Sequence, residues 1–247
     1  ENIGPNAVRS ILIRPNACWM CPIACGRHVR VTTKWGTIEI DGPEYETIYS
    51  LGGLLGITDL RCVVYLNYLA DILGMDTISL GNVVGLLIEA SRRGKVRMSI
   101  DYGECEKIAE LFKMIAYRRN VGNILAEGIA AASSRLGVED IAIHVKGLEP
   151  AGYDPRVLKA MSIAYGTSPR GACHLRTMAY MIDIRGLAGL PDVLSEEKIL
   201  KIVEYEEWMA SFDCLILCKF GRDVLSFELM LKLYNAATGV ELSLIHI

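Results

Sequence analysis

No stretch of this 247-residue chain is apolar for long enough to cross a bilayer. A span needs about 20 predominantly apolar residues, and the longest uncharged stretches, such as 77–88, are shorter and carry Gly, Asn and Ser. An excess of positive charge is missing too: 26 Lys and Arg face 29 Asp and Glu, for a net charge of −3. That balance excludes a strongly basic nucleic-acid binder. The first 14 residues lack a basic start followed by an apolar run, so they do not read as an export signal. Low-complexity tracts, a solenoid period and alternating strand–helix units are also absent. The expectation is a soluble, cytoplasmic protein. With 51% hydrophobic residues, a chain of this length can bury a substantial core as one large or two ordinary domains.

Eight cysteines are present, at 18, 21, 25, 62, 105, 173, 214 and 218. Disulfide frameworks belong to small exported domains that lack a core, so reduced thiols are expected. The cluster Cys18-Trp-Met-Cys21-Pro-Ile-Ala-Cys25 has the spacing C-x2-C-x3-C, which brings three thiolates within reach of one inorganic centre if the backbone wraps around it. An iron–sulfur cube usually takes four cysteines, drawn from short spacings plus a distant partner. Structural zinc sites usually come as two C-x2-C pairs, and no second pair exists here. Radical enzymes that cleave S-adenosylmethionine order the spacing the other way. Iron–sulfur ligation is the leading reading, with zinc or buried unligated thiols as the alternatives.

The remainder reads as mainly α. One β-hairpin is expected over 28–40, around Lys34-Trp35-Gly36. Helices then follow: one capped by Asp59 through Leu73 to a stop at Gly74, and one capped by Ser79 to Arg93. Others are expected over 104–119, 123–136, 155–165, from Ser195 to about Ser211, and over 224–236. Breakers cluster at Gly147-Leu-Glu-Pro-Ala-Gly152, and the domain border is placed there, giving helical domains 1–147 and 148–247.

A short pattern occurs twice. Asp71-Ile-Leu-Gly-Met-Asp76-Thr77 and Asp213-Cys-Leu-Ile-Leu-Cys218-Lys219 share an acid, two intervening residues, a small or aliphatic residue, Met or Leu, then a ligand-type residue. Cys218 falls in the slot of Asp76, which favours it over Cys214 as a fourth thiolate. Asp71 lies in the last helical turn, where the dipole disfavours negative charge, so it should have a hydrogen-bond donor unless solvated. Taken singly, each Asp could equally be a capping or solvated residue.

These features, together with Gly42-Pro-Glu-Tyr-Glu46 and their order along the chain, resemble the tungsten-containing aldehyde:ferredoxin oxidoreductases over nearly the whole sequence. The resemblance implies domains 2 and 3 of that architecture, two helical domains with a small β-hairpin near the N-terminus, without the family's N-terminal β domain. It implies a 4Fe-4S cluster on Cys18, Cys21, Cys25 and Cys218, beside tungsten or molybdenum held by two pterins. Asp71 and Asp76 would serve one pterin, and Asp213 with the Leu217-Cys218 backbone the other. Glu46, with Tyr45, matches the acid beside the metal, and His174 matches the substrate-side histidine. The implied reaction is anaerobic oxidation of a small aldehyde to a carboxylic acid, with ferredoxin as acceptor and a homodimer as the common assembly. Ile216 stands where the repeat has Gly74, and the segment 242–247 breaks from the family pattern, as an interior fragment with a non-native tail would. The motifs also suit a benzoyl-CoA reductase-type catalytic subunit, and, in a different class, a non-catalytic iron–sulfur electron-transfer protein.

Overall fold

Alternating β-branched residues build an antiparallel sheet in the order β1 (Leu12–Asn16), β2 (Gly26–Thr33) and β3 (Gly36–Asp41). Val29 pairs with Ile40 and Val31 with Ile38. All four are buried, while Arg30 and Glu39 between them face solvent and bond to each other, as a period of two requires. The hairpin expected over 28–40 is therefore present, and β1 extends it to three strands. That strand escapes a sequence reading because it contains Pro15, which lacks a ladder donor and is tolerated at a sheet edge. Residues 1–243 are described in this computed structural model. They divide into two compact units, Glu1–Gly152 with Arg170–Ala172, and Tyr153–Pro169 with the residues from Cys173 onward. The segment 244–247, most of the tail singled out in the sequence, lies outside the described residues.

In the first unit, α1 (Pro5–Ser10) precedes the sheet, and α2 (Tyr45–Thr47) runs directly into a π-helical turn, Ile48–Gly53. Then come α3 (Leu60–Leu73) and α4 (Thr77–Arg92). Asp59 caps α3 by accepting the Arg61 N–H at 3.0 Å, and Gly74 ends it at φ 68°, a conformation in which a Cβ would be crowded. Ser79 does not cap α4. Asp76 does, its Oδ2 accepting the Ser79 N–H at 2.7 Å, so the helix starts earlier than its apolar pattern suggests. α4 is buried on nearly every side. Its Gly81 backs onto the Ser50 carbonyl so closely that a Cβ would sit 2.4 Å from the oxygen.

α5 (Cys105–Ala116), α6 (Gly122–Leu125) and α7 (Ile129–Leu136) complete the unit. One helix was expected over 123–136; it is broken at Gly128, which takes φ 83°. The expectation of reduced thiols throughout is also corrected: Cys62 and Cys105 form a disulfide between the first turns of α3 and α5, with their Cα atoms 6.3 Å apart. Forty-three residues separate the two, and a short-range spacing pattern cannot register such a pair.

The second unit contains α8 (Lys159–Thr167), α9 (Tyr180–Ile184), α10 (Glu196–Cys214) and α11 (Phe227–Thr238). α8 starts later than expected because Asp154 ties up the Arg156 N–H and guanidinium, holding a non-helical turn. Ser195 caps α10 through the Lys198 N–H at 3.1 Å. Lys198 and Asp183 form a fully buried ion pair at 2.7 Å. The pair is tolerated because Lys198 Nζ also donates to the Leu190 carbonyl and Asp183 accepts the Ala160 N–H, so its polar contacts are met inside the fold. No single helix among the described residues is long and apolar enough to cross a membrane.

Candidate functional site

The cysteine cluster occupies the connection between β1 and β2. Asn16 pairs with Gly26, and a Cβ on Gly26 would meet the Asn16 carbonyl at 2.9 Å, so the loop closes tightly at its base. Within it the Cys21 N–H donates to the Cys18 carbonyl at 3.0 Å. Met20 and Ala24, the residues before Cys21 and Cys25, take positive φ of 57° and 48°. Cys18 and Cys25 are exposed, Cys21 is half-buried, and none of the three is in a disulfide. Trp19 and Met20 between them are 90% and 80% exposed. Among the described residues no three Cys, His, Asp or Glu side chains converge as a metal site. The structure thus gathers three soft donors on one loop without drawing them to a common point, and Cys218 belongs to the second unit.

The two copies of the repeated pattern adopt the same backbone course. In the first, the Gly74 N–H bonds the Asp71 carbonyl at 3.1 Å and the Met75 N–H bonds Ala70 at 2.9 Å. In the second, the Ile216 N–H bonds Asp213 at 3.2 Å and the Leu217 N–H bonds Phe212 at 2.8 Å. Gly74 lies at φ 68° and Ile216 at φ 56°. Asp76 at φ −69°, ψ 129° and Cys218 at φ −68°, ψ 130° then open the next helical segment. Both turns are helix C-terminal motifs closed by a left-handed residue, and Ile216 takes that conformation without the freedom of a glycine. Because the Leu217 N–H is engaged, Leu217 can address a ligand through its carbonyl.

The acids differ in surroundings. Asp71 accepts from Asn67 Nδ2 at 3.0 Å, the donor its place at a helix C-terminus calls for, and partial desolvation raises its pKa above the usual carboxylate value. Asn67 is itself fixed from the other side, since a Cβ on Gly42 would sit 2.8 Å from its Oδ1. Asp213 is held by two cations, Lys219 Nζ at 3.0 Å and Arg176 at 3.3 Å. Lys219 also donates to the carbonyls of Leu175 and Met209, so this lysine binds protein oxygens rather than standing in solvent. Asn67 could have been found from its i,i+4 relation to Asp71. Arg176 and the carbonyl partners of Lys219 are brought in only by the fold.

Tyr45 and Glu46 open α2 and both grip Gly152. The Gly152 N–H donates to Glu46 Oε2 at 2.8 Å, and Tyr45 Oη donates to the Gly152 carbonyl at 3.0 Å. A Cβ on Gly152 would lie 2.8 Å from Tyr49 Cγ, so only glycine lets the loop come this close. His174 lies in the second unit, half-buried, with its ring 5.8 Å from that of Tyr153. Tyr153 in turn stacks on Tyr180 at 3.9 Å.

Set against known proteins, residues 1–246 match the family profile "Aldehyde ferredoxin oxidoreductase, domains 2 & 3". This chain belongs to that family. It is 32% identical to the tungsten-containing aldehyde ferredoxin oxidoreductase of Pyrococcus furiosus over 97% of its own length and 40% of the relative's. The Thermococcus kodakarensis enzyme of the same name is also 32% identical, with 41% of its length matched. An aliphatic sulfonate oxidoreductase subunit of P. furiosus is 29% identical over 90% of this chain. The chain therefore spans about 40% of the length of these aldehyde ferredoxin oxidoreductases. Among solved structures, the active-site complex of benzoyl coenzyme A reductase shares the fold, with a TM-score of 0.53 and 21% identity over 66% of this chain and 25% of that one. The mainly helical architecture with a small N-terminal sheet is that of domains 2 and 3 of the aldehyde ferredoxin oxidoreductase family.

Proposed function

We propose that this chain is the cofactor-bearing part of a tungsten–pterin oxidoreductase that converts small aldehydes to carboxylic acids and passes the electrons to ferredoxin. The observation that carries this reading is the duplicated turn: one backbone device, used twice, presents Asp71 with Asp76 and Asp213 with Cys218. A carboxylate accepts paired N–H donors as it accepts an arginine fork, which suits the aminopyrimidine edge of a pterin. Twin turns suit twin pterins. The donor chemistry of the cysteines fits as well, because accessible thiols are the soft ligands iron–sulfur clusters take. Cys18, Cys21, Cys25 and Cys218 would hold the 4Fe-4S cluster.

When bound, these groups supply the two-electron oxidation and its division into single-electron steps. The net change is aldehyde plus water to carboxylic acid, two protons and two electrons. The chain's own residues manage the protons: the Glu46 carboxylate, held by the Gly152 N–H, takes one from water, and the His174 imidazole, which can both accept and donate a proton at its ring nitrogens, relays the other.

The test uses the protein that carries this chain, purified and reconstituted without oxygen. About four iron atoms per chain are expected, and Cys218→Ala should lose the visible iron–sulfur absorbance; zinc in place of iron, or an unchanged spectrum in the variant, would refute the cluster. Glu46→Gln and His174→Asn should lower turnover about 100-fold or more at unchanged tungsten content. Rates within about twofold of the parent would refute their roles.

A further inference from the structure

A buried carboxylate stands behind the site just described. Glu149 is 6% exposed, and both of its oxygens are engaged by uncharged donors: Oε1 by the Ile129 N–H at 2.9 Å and Oε2 by Ser79 Oγ at 3.1 Å. Ile129 is the first residue of α7, whose N-cap, Gly128, offers no side-chain acceptor. The first amides of a helix have no partner within it, and Ile129 is buried away from water. Glu149 therefore caps α7 from a distant loop, its Oε1 accepting the Ile129 N–H that the helix itself leaves without a partner.

The same residue starts the four-residue bridge that ends in Gly152. Ser79 is the residue whose N–H the Asp76 carboxylate holds. One turn further along α4, Asn82 Nδ2 donates to the Pro150 carbonyl at 3.2 Å. At the far end Gly152 is gripped by Glu46, Tyr45 and the ring of Tyr49. A continuous course of hydrogen bonds and three peptide units thus runs from Asp76 through Ser79 and Glu149 to the Glu46 carboxylate. We propose that Glu149 is a positioning residue, which registers the 149–152 bridge on α4 and α7 so that the Gly152 N–H meets Glu46 at a fixed point. Its own carboxylate is bonded to Ser79 and Ile129, and it acts on Glu46 through the bridge. The proposal rests on the reading of Glu46 given above only for its effect on turnover; the positioning itself is a statement about the Gly152 amide.

Three variants separate the possibilities, in the protein that carries this chain. Glu149→Gln keeps the volume and both contacts, because its amide oxygen can accept from Ile129 while its NH2 group donates to the Ser79 hydroxyl. Glu149→Leu keeps the volume and leaves the Ile129 N–H without an acceptor. Ser79→Ala removes one contact and is the milder probe should Glu149→Leu fail to fold. Amide hydrogen exchange is the primary readout. In Glu149→Leu, exchange at Ile129 and Gly152 should quicken about tenfold while Ile108 and Phe112 in α5 keep parent rates. Ser79→Ala should show a smaller rise at Gly152, and Glu149→Gln should stay within about twofold of the parent. Parent-like exchange at Gly152 in both Glu149→Leu and Ser79→Ala overturns the proposal, as does equal quickening in Glu149→Gln. In the loaded enzyme, aldehyde turnover should fall in Glu149→Leu and recover in Glu149→Gln. Faster Gly152 exchange with parent turnover would uphold the positioning role and sink the assignment of Glu46 instead.

Discussion

Ile216 sits at φ 56° in the slot that its sister turn gives to Gly74, and its side chain is 94% exposed. The left-handed region costs an ordinary residue about 1–2 kcal/mol, and so exposed an isoleucine recovers little by burial. Glycine at this position gives back part of the gain through the entropy of the unfolded chain, about 0.4–1 kcal/mol. Ile216→Gly should therefore raise stability by about 1 kcal/mol, read as a shift in the denaturant midpoint; an unchanged or lower midpoint would show that Ile216 is not strained in this turn. Asp76 has two duties to disentangle, since it caps α4 as well as being assigned to a pterin. Asp76→Ala should cost about 1 kcal/mol through the lost cap and also lower pterin and tungsten content. Asp76→Ser should restore the cap and the stability but not the cofactor, and parent-level tungsten in the serine variant would end the pterin assignment. Much at this scale was legible in sequence. The alignment of Ile216 with Gly74, the cap at Asp59 and the need of Asp71 for a donor all follow from local rules of helix ends. The cap at Asp76 was missed because Ser79 is an equally good capping type nearer the first buried residue. The partners of Lys219 are backbone carbonyls of Leu175 and Met209, and no side-chain pattern announces those.

The sheet carries an electrostatic device of its own. His28 on β2 bonds Asp41 Oδ1 through Nδ1 at 2.8 Å and Glu39 Oε1 through Nε2 at 2.7 Å. With carboxylates at both ring nitrogens the imidazolium is favoured, and the bonds to Glu39 and then Asp41 raise its pKa above the ordinary 6.5. The same bond to His28, followed by that to Arg30, holds Glu39 below its ordinary 4.5. The signs run in opposite directions along the pH axis. The histidine's contribution to sheet stability is complete below 6.5 and is lost as pH rises through its raised value; the glutamate's is complete above 4.5 and is lost as pH falls through its lowered value. Exchange protection of the Val29 and Val31 amides, corrected for intrinsic rates, should therefore be greatest between about pH 4.5 and 6.5 and decline above it. His28→Gln should flatten the decline, and a sloping profile in that variant would assign the pH dependence elsewhere. The hairpin was readable from its alternation and its Lys-Trp-Gly turn, whereas β1 and the break at Gly128 were not. An edge strand with a proline has no periodic signature, and a glycine inside a helical pattern can equally be tolerated.

Each unit builds its own apolar core. In the first it runs from Val8 through the sheet and α3–α5 to Val138, and in the second it includes Met161, Ile182, Met209 and Phe212. The Cys62–Cys105 disulfide lies wholly inside the first. It joins two helix starts across 43 residues of chain, and by loop-closure entropy a crosslink of that span stabilises by about 4 kcal/mol at 25 °C. The range seen for native disulfides, about 2–5 kcal/mol, is a large share of the roughly 5–15 kcal/mol by which domains are stable. Cys62→Ala with Cys105→Ala should accordingly loosen the first unit, with exchange at Val63, Leu66 and Phe112 quickening by two to three orders of magnitude, about 3–4 kcal/mol in free energy. The parent treated with a thiol reductant should move to the same rates, because breaking the bond removes the same constraint on the unfolded chain. The substitution also removes two buried sulfur atoms, so a partly refilled pair, Cys62→Val with Cys105→Ala, separates packing from crosslink: protection should remain low in it. Recovery of parent exchange in that variant, or rates indifferent to reductant, would show that the bond contributes through packing and not through the chain it closes.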